Sequence, residues 1–85
     1  MTDQPIKRIT LQIPFKNEEQ AILVTEILNV DKELKGSGIH RNINFEDNSL
    51  LVTFEGVEYK KLRVSINAFL KNVLLIVKTF NTFAL

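Results

Sequence analysis

Apolar and polar residues alternate in three segments of the chain, and this alternation predicts three β-strands. A side-chain period of two is typical of a strand that is buried on one face only. A turn at Asp47-Asn48-Ser49 separates the second and third segments, so these two strands are predicted to form a β-hairpin. The predicted inward positions are Ile9, Leu11, Ile13 and Phe15, then Ile39, Arg41, Ile43 and Phe45, then Leu50, Val52 and Phe54.

A first helix is predicted between the first strand and the hairpin. Asn17 suits the N-cap, with Gln20 three residues later in a weak capping box and two glutamates in the first turn. At about 100° per residue, Thr25 and Ile22 face away from the apolar arc. That arc is predicted to contain Ala21, Leu23, Val24, Ile27 and Leu28. Residues 30–38 have no sustained period and are predicted to be a connection.

One long amphipathic helix is predicted after Gly56. Apolar residues recur there every three or four positions from Tyr59 to Ala84. The element order is thus strand-helix-strand-strand-helix, and we predict an α+β fold in which two helices pack on one face of a three-stranded, mainly antiparallel sheet. Residues 1–85 make one domain, and residues 1–7 are expected to be a flexible N-terminus.

Composition excludes several classes of protein. The chain has 85 residues, 45% of them hydrophobic, a net charge of +1 and no cysteine. These values are typical of a small globular domain, and they leave no disulfide framework and no cysteine-ligated zinc. Because no long apolar run occurs, we expect no membrane partner. Nucleus and cytoplasm are the expected locations.

The sequence contains no arrangement of residues typical of catalysis or of cofactor binding. His40 is the only histidine and lies at a polar position of the second strand, where a solvated side chain is the ordinary role. Gly36-Ser37-Gly38 lacks the strand, lysine and helix of a phosphate-binding loop, so a turn explains it better. We therefore predict no enzyme activity, no metal and no cofactor.

RNA binding is the alternative function suggested by charge. The predicted open face of the sheet has no aromatic residue on which a base could stack. The last helix, in contrast, carries Lys60, Lys61, Arg63, Lys71 and Lys78. This set is predicted either to be a solvated helix face or to contact RNA phosphates.

Two other features predict protein–protein contact. Val64, Ala68 and Leu75 form a second apolar stripe on the last helix, opposite its core stripe and within about 40° of one another. The stripe favours a partner helix, although scattered surface apolar residues are also common. The sheet has two edges with few blocking charges or prolines, so either another subunit adds a strand or a loop covers the edge.

Three segments of the chain closely resemble the small Pcc subunit of the KEOPS complex, also called EKC, whose human relative belongs to the L antigen family. They are residues 11–15 in the first strand, residues 30–35 after the first helix and residues 62–70 in the last helix. The resemblance covers essentially the whole chain, and the segment Val-Asp-Lys-Glu-Leu-Lys is typical of fungal members. Two departures are Ala68, where relatives often have serine, and Gly36-Ser37-Gly38, which replaces a connection that commonly contains proline.

The resemblance implies a non-catalytic dimerisation or scaffold subunit. KEOPS forms N6-threonylcarbamoyladenosine beside the anticodon of tRNAs, and the family binds the Kae-type catalytic subunit through its two helices. A second copy, or a partner of the Gon family, is implied at the sheet edge, and an auxiliary tRNA contact is a further expectation. By matching positions and by helix geometry, the predicted partner-binding residues are Ile22, Glu26, Arg63, Val64, Asn67, Ala68, Lys71 and Leu75.

Overall fold

The computed structural model describes residues 5–30 and 38–83, and it confirms the predicted order of elements. The strands β1 and β3 pair antiparallel, as do β2 and β3, so that β3 is the central strand of the sheet. The predicted α+β fold is therefore correct. The elements are β1 at Lys7–Pro14, α1 at Glu18–Val30, β2 at His40–Glu46, β3 at Ser49–Gly56 and α2 at Tyr59–Phe83.

Two boundaries differ from the prediction. Lys7 is already part of β1: it pairs with Gly56, and its ammonium group donates a hydrogen bond of 2.8 Å to the carbonyl oxygen of Val57. Lys7, the last residue of the segment expected to be flexible, is therefore in a strand, and residues 1–4 of that segment lie outside the described residues. At the other boundary, α1 continues through Val30, and residues 31–37 of the predicted connection are likewise outside the described ranges.

The predicted N-cap of α1 is confirmed by its hydrogen bonds. The side-chain oxygen of Asn17 accepts a bond of 2.9 Å from the backbone N–H of Gln20. In return, the side-chain oxygen of Gln20 accepts one of 3.4 Å from the backbone N–H of Lys16. Both bonds satisfy amides that have no partner within the helix, and they set where α1 begins after β1.

The hairpin turn is one residue shorter than predicted. Ser49 belongs to β3 and pairs with Glu46, so that only Asp47 and Asn48 form the loop. Asp47 has a φ of 54°, a conformation that aspartate tolerates better than most side chains. A positive φ at the first central position matches the twist of the flanking strands, which is why two-residue loops of this kind are common in hairpins.

The core lies between the sheet and both helices, and two aromatic rings occupy its centre. Phe54 of β3 and Phe69 of α2 are almost fully buried and meet edge to face, with 5.4 Å between ring centroids and 79° between planes. The guanidinium carbon of Arg41 lies 5.7 Å from the centroid of Phe69. Arg41 thus occupies its predicted inward position on β2, where a cation–π contact favours it.

Gly56 ends β3 at a point where the backbone comes close to its neighbours. A Cβ at this position would lie 2.6 Å from Cδ1 of Ile39 and 3.2 Å from the carbonyl oxygen of Gly38. Both distances are shorter than an ordinary van der Waals contact. Glycine therefore allows the end of β3 to pass the start of β2 before the chain enters α2.

The prediction of which α1 residues are buried was wrong in part. Ala21, Val24 and Leu28 are buried as predicted, but Thr25 is buried too, and its hydroxyl donates a bond of 2.8 Å to the carbonyl oxygen of Ala21. That bond satisfies the hydroxyl inside the helix, so burial costs little. Leu23 and Ile27, which were assigned to the core, are instead 38% and 40% exposed.

Two further large apolar residues are exposed, and one of them, Phe45, was predicted to face inward. Phe45, at the hairpin end of β2, is 44% exposed, and Leu70 on the flank of α2 is 41% exposed. The radius of gyration is 14.1 Å, compared with about 12 Å for a compact domain of this length. An elongated molecule covers less of its own apolar surface, which explains why these side chains are not enclosed.

Candidate protein-interaction surfaces

The second apolar stripe predicted on the last helix is exposed. Val64 and Leu75 have 63% and 62% of their surface accessible, and Ala68 between them is exposed as well. The opposite side of α2 holds Leu62, Phe69 and Val73 in the core. Because α2 has 25 residues and a length of about 37 Å, the stripe crosses the middle of a long, straight surface.

Leu23 and Ile27 add a second exposed apolar row on α1. On α1, Leu23 and Ile27 lie about 200° and 240° around the helix axis from the buried Ala21. On α2, Val64 and Ala68 lie at the same two angles from the buried Leu62. Both helices cover the same face of the sheet, so these outward sides are turned in the same direction, away from the sheet. We call Leu23, Ile27, Val64, Ala68 and Leu75 the outer helical surface.

The sequence prediction missed the contribution of α1 to this surface. It chose Ile22, which is half-buried, and Glu26, which is exposed beside Leu23. The width of the apolar arc could have indicated Leu23 and Ile27. The arc contains five apolar residues, and a short helix cannot turn all five toward one sheet, so some of them must be exposed to solvent. The remaining predicted residues, Arg63, Asn67 and Lys71, are all exposed on α2 beside the stripe.

A row of lysines runs along α2 next to the apolar stripe. Lys60, Lys71 and Lys78 lie within about 20° of one another and are exposed. No aspartate or glutamate occurs between residues 59 and 83. Glu58, just before the helix, pairs with Lys61 at 3.7 Å, on another side of α2. Within α2 itself, therefore, no carboxylate balances the positive charge of this row.

The open face of the sheet is polar and forms regular cross-strand rows. Thr10 and Thr53 are paired, with 3.4 Å between their hydroxyl oxygens. Arg8 donates hydrogen bonds of 2.9 and 3.2 Å to a single carboxylate oxygen of Glu55. The side chain of Gln12 donates one of 3.4 Å to the Ser49 hydroxyl. Such exposed pairs set strand register more than they add stability.

The described part of the chain bears on the sequence predictions for His40, for metal ligands and for membrane spans. His40 is exposed on the open face, as predicted, at the position that pairs with Glu55. No three metal-ligating side chains come together among residues 5–30 and 38–83. Within the same residues, no helix is both long and apolar enough to cross a membrane. The candidate site is the outer helical surface together with the edges of the sheet.

Comparison with known proteins identifies the family. The model of the family described as "Transcription factor Pcc1" matches residues 8–81, a range that contains every element except the ends of β1 and α2. The chain belongs to the Pcc1 family. The resemblance seen in the three sequence segments is thereby confirmed.

Characterised Pcc1-family relatives are subunits of one complex. The "EKC/KEOPS complex subunit PCC1" of Saccharomyces cerevisiae is 30% identical over 73 residues, which cover 86% of this chain and 83% of the relative. A second EKC/KEOPS complex subunit, from Schizosaccharomyces pombe, is 28% identical over 74 residues, covering 87% of this chain and 84% of that protein. Both matches extend over nearly the full length of each protein.

A solved Pcc1-family structure has the same fold. The chain from "Crystal structure of binary complex Gon7-Pcc1" superposes with a TM-score of 0.82 at 28% identity, and the match covers 91% of this chain and 95% of the other. That structure is a complex between two different proteins. A relative with this fold has therefore been solved with a different protein bound to it.

Proposed function

We propose that this protein is a non-catalytic scaffold subunit of the KEOPS complex. The single observation that supports this most strongly is the outer helical surface, which exposes apolar side chains of both helices. Within KEOPS, the protein supports formation of N6-threonylcarbamoyladenosine in tRNA without performing the chemistry. The names of its relatives agree with this assignment.

The outer helical surface is the proposed binding site for the Kae-type catalytic subunit. Two exposed helices with apolar rows turned the same way can receive a helical pair from a partner, and small residues such as Ala68 allow close approach. Arg63, Asn67 and Lys71 would form the polar rim, a usual arrangement around an apolar centre. On α1, the predicted contact residue Glu26 would lie at the rim, and the predicted Ile22 would be supplemented by Leu23 and Ile27.

A second subunit is proposed at an edge of the sheet. A second copy of this chain and a Gon-family protein are the two candidates, and the complex of Gon7 with a Pcc1 relative supports the general idea of such a partner. The edge and the outer helical surface lie on different sides of the fold. Both partners can therefore be bound at the same time, which is what a scaffold requires.

Co-elution with the Kae-type subunit tests the proposed function. We expect the purified protein, mixed with the Kae-type subunit of its own organism, to elute as one species of defined stoichiometry in size-exclusion chromatography with light scattering. A dissociation constant of about 1 μM or below corresponds to roughly 8 kcal/mol, well within the capacity of a standard interface. Separate elution of the two proteins at physiological salt would refute the proposal.

Auxiliary binding of tRNA is a second candidate function, favoured by the lysine row of α2. We expect weak affinity of the isolated protein for tRNA, with log K falling against log salt at a slope of about −2 to −3, as for three phosphate contacts. Changing Lys60, Lys71 and Lys78 together to glutamine should remove most of this slope. Lys16→Gln is the control, since Lys16 lies at the start of α1 away from the row. Binding that ignores salt, or that survives the triple change, would contradict this candidate.

A further inference from the structure

We propose that the free protein self-associates face to face through its outer helical surface, with α1 of each copy packed antiparallel on α2 of the other in a four-helix bundle. The same surface is the proposed site for the Kae-type subunit, so a second copy would cover that site until the partner displaces it. This inference rests on the proposed function, because it adds regulation to the same surface.

The two helices of one copy carry opposite charges. The helix α1 contains three glutamates and no lysine or arginine. The helix α2 contains five lysine or arginine residues and no aspartate or glutamate. One molecule therefore presents an acidic helix beside a basic one. Such a surface is complementary to itself when α1 of one copy lies over α2 of another.

The charged residues flank an exposed leucine in the same pattern on both helices. On α1, Leu23 has Glu19 four residues before it and Glu26 three residues after it, and all three are exposed. At about 100° per residue, both glutamates lie about 40° to 60° to one side of Leu23. The helix α2 repeats this pattern with the opposite charge. Its corresponding exposed residues are Lys71, Leu75 and Lys78.

The helices run in opposite directions over the sheet. The helix α1 begins beside the hairpin, because Phe15, just before it, donates a bond of 2.8 Å to the carbonyl oxygen of Asn48. After α1 the chain returns at Gly38, beside Gly56. The helix α2 begins at that end, where Leu62 lies 3.6 Å from the Cβ position of Gly56. A two-fold axis parallel to the helices and between them therefore places α1 of a second copy antiparallel over α2.

The lysines of the pattern lie toward the hairpin end of the sheet. Strand β3 has 8 residues and spans about 24 Å from the hairpin to Gly56. Lys71 and Lys78 follow Leu62 by about 13 and 24 Å along α2, at 1.5 Å per residue. Because Leu62 is level with Gly56, Lys78 is level with the hairpin and Lys71 lies about 10 Å from it.

The glutamates of the pattern occupy the same levels. Glu19 is in the first turn of α1, beside the hairpin, and Glu26 lies about 10 Å farther along the helix. In the two-fold arrangement, Glu19 of one copy would face Lys78 of the other, and Glu26 would face Lys71. Since each charged row lies on the same side of its leucine, the rows meet when the helices face each other antiparallel.

Charge and spacing are the reasons for choosing a second copy as the occupant. The chain itself supplies the complement of its own surface, level by level. The ion pairs that the structure describes, Arg8 with Glu55 and Lys61 with Glu58, use none of these four side chains. Exposed ion pairs are individually weak, so they would set partner and register, and the apolar rows would supply most of the affinity. A partner with a larger interface can then displace the second copy.

Molecular mass against concentration and salt tests the proposal on the full chain. We expect a reversible dimer in sedimentation equilibrium, with a dissociation constant that rises about fivefold or more when NaCl is raised from about 0.05 to 0.5 M. Lys71→Glu with Lys78→Glu sets carboxylates against carboxylates and should raise that constant about tenfold or more. Glu19→Lys with Glu26→Lys should do the same. An equimolar mixture of the two variants restores opposite charges and should associate as tightly as the unaltered chain.

Lys16→Glu with Lys61→Glu is the control for net charge. Both lysines are exposed but lie away from the Lys71 and Lys78 pattern, so this variant should keep the dimer. A dimer that persists unchanged in both charge-reversed variants, or a mixture of them that does not associate, would overturn the proposal. A chain that stays monomeric at about 1 mM in low salt would overturn it as well, since such a surface should then be covered by self-association.

Titration with the Kae-type subunit separates this proposal from the proposed function. We expect the Kae-type subunit to displace the second copy from the helices, so that the dimer signal falls as the complex forms. Binding of the Kae-type subunit to an intact salt-sensitive dimer would overturn the shared surface. Failure of the unaltered protein to bind that subunit at any concentration would refute the proposed function and leave self-association standing.

Discussion

Val64→Glu is expected to weaken binding to the Kae-type subunit by more than a hundredfold while leaving the fold intact. Val64 is the most exposed apolar residue of the outer helical surface, so its replacement removes no core packing. In the complex, the carboxylate would be moved from water into an apolar contact, which costs about 3 kcal/mol or more. Titration calorimetry with the Kae-type subunit measures the loss, and Ala68→Arg should have an effect of similar size.

Val57→Glu is the matched control for this change. Val57 lies in the short turn before α2 and is also exposed, but it is not part of the outer helical surface. The same substitution there should alter affinity by less than about threefold, and the stability of both variants should stay within about 0.5 kcal/mol of the unaltered protein. Normal affinity of a folded Val64→Glu protein would show that the partner binds elsewhere.

Phe69→Ala should be the most destabilising single substitution in α2. Phe69 is almost fully buried and packs edge to face on Phe54, with Arg41 over its ring. Truncating a buried phenylalanine costs about 3–5 kcal/mol, and the loss of both ring contacts adds to it. For a domain of this size, the melting temperature should fall by on the order of 15 °C or more. Urea unfolding followed by circular dichroism measures the loss of free energy, and thermal unfolding measures the melting temperature.

Phe45→Ala is the control for this experiment, because it removes an aromatic ring that is much less buried than that of Phe69. The side chain of Phe45 is 44% exposed at the end of β2, so much less apolar surface is lost than at Phe69. We expect a cost of about 1 kcal/mol or less. Equal destabilisation by the two changes would show that the Phe54–Phe69 pair is not the centre of the core.

The proposed partner sites explain why a small domain carries so much exposed apolar surface. A chain of this length buries only about 60% to 65% of its unfolded surface, which leaves a thin margin of stability. Exposed apolar rows such as those of the outer helical surface often mark protein-interaction sites, and an open sheet edge can receive a strand. Binding to both would stabilise the folded chain by mass action, as well as connect the subunits.

Local signals were sufficient to predict the elements and their order. A period of two identified each strand, a period of 3.6 identified both helices, and Asn17 marked where the first helix begins. These signals depend on neighbouring residues, so they can be read without knowing the fold. The family could also be recognised from three short segments, because their order and spacing span the whole chain.

Tertiary packing decided which apolar residues of α1 are outside. Leu23 and Ile27 have the same character as Val24 and Leu28, and only the position of the sheet selects one side of the helix over the other. The burial of Thr25 follows from the same choice, since its hydroxyl can bond within the helix. A helical wheel describes relative directions but not which direction the core occupies.

The chain sequence by itself thus determined an α+β domain with an amphipathic last helix, a second apolar stripe at Val64, Ala68 and Leu75, and an absence of catalytic motifs. Only the tertiary structure decided that β3 is central, that the helices leave β1 half-covered, and that α1 contributes Leu23 and Ile27 to the outer helical surface. The physical reason is the distance along the sequence over which each feature is set. Periodicity is a property of residues that are close in sequence, whereas burial and strand order depend on contacts between segments that are distant in sequence.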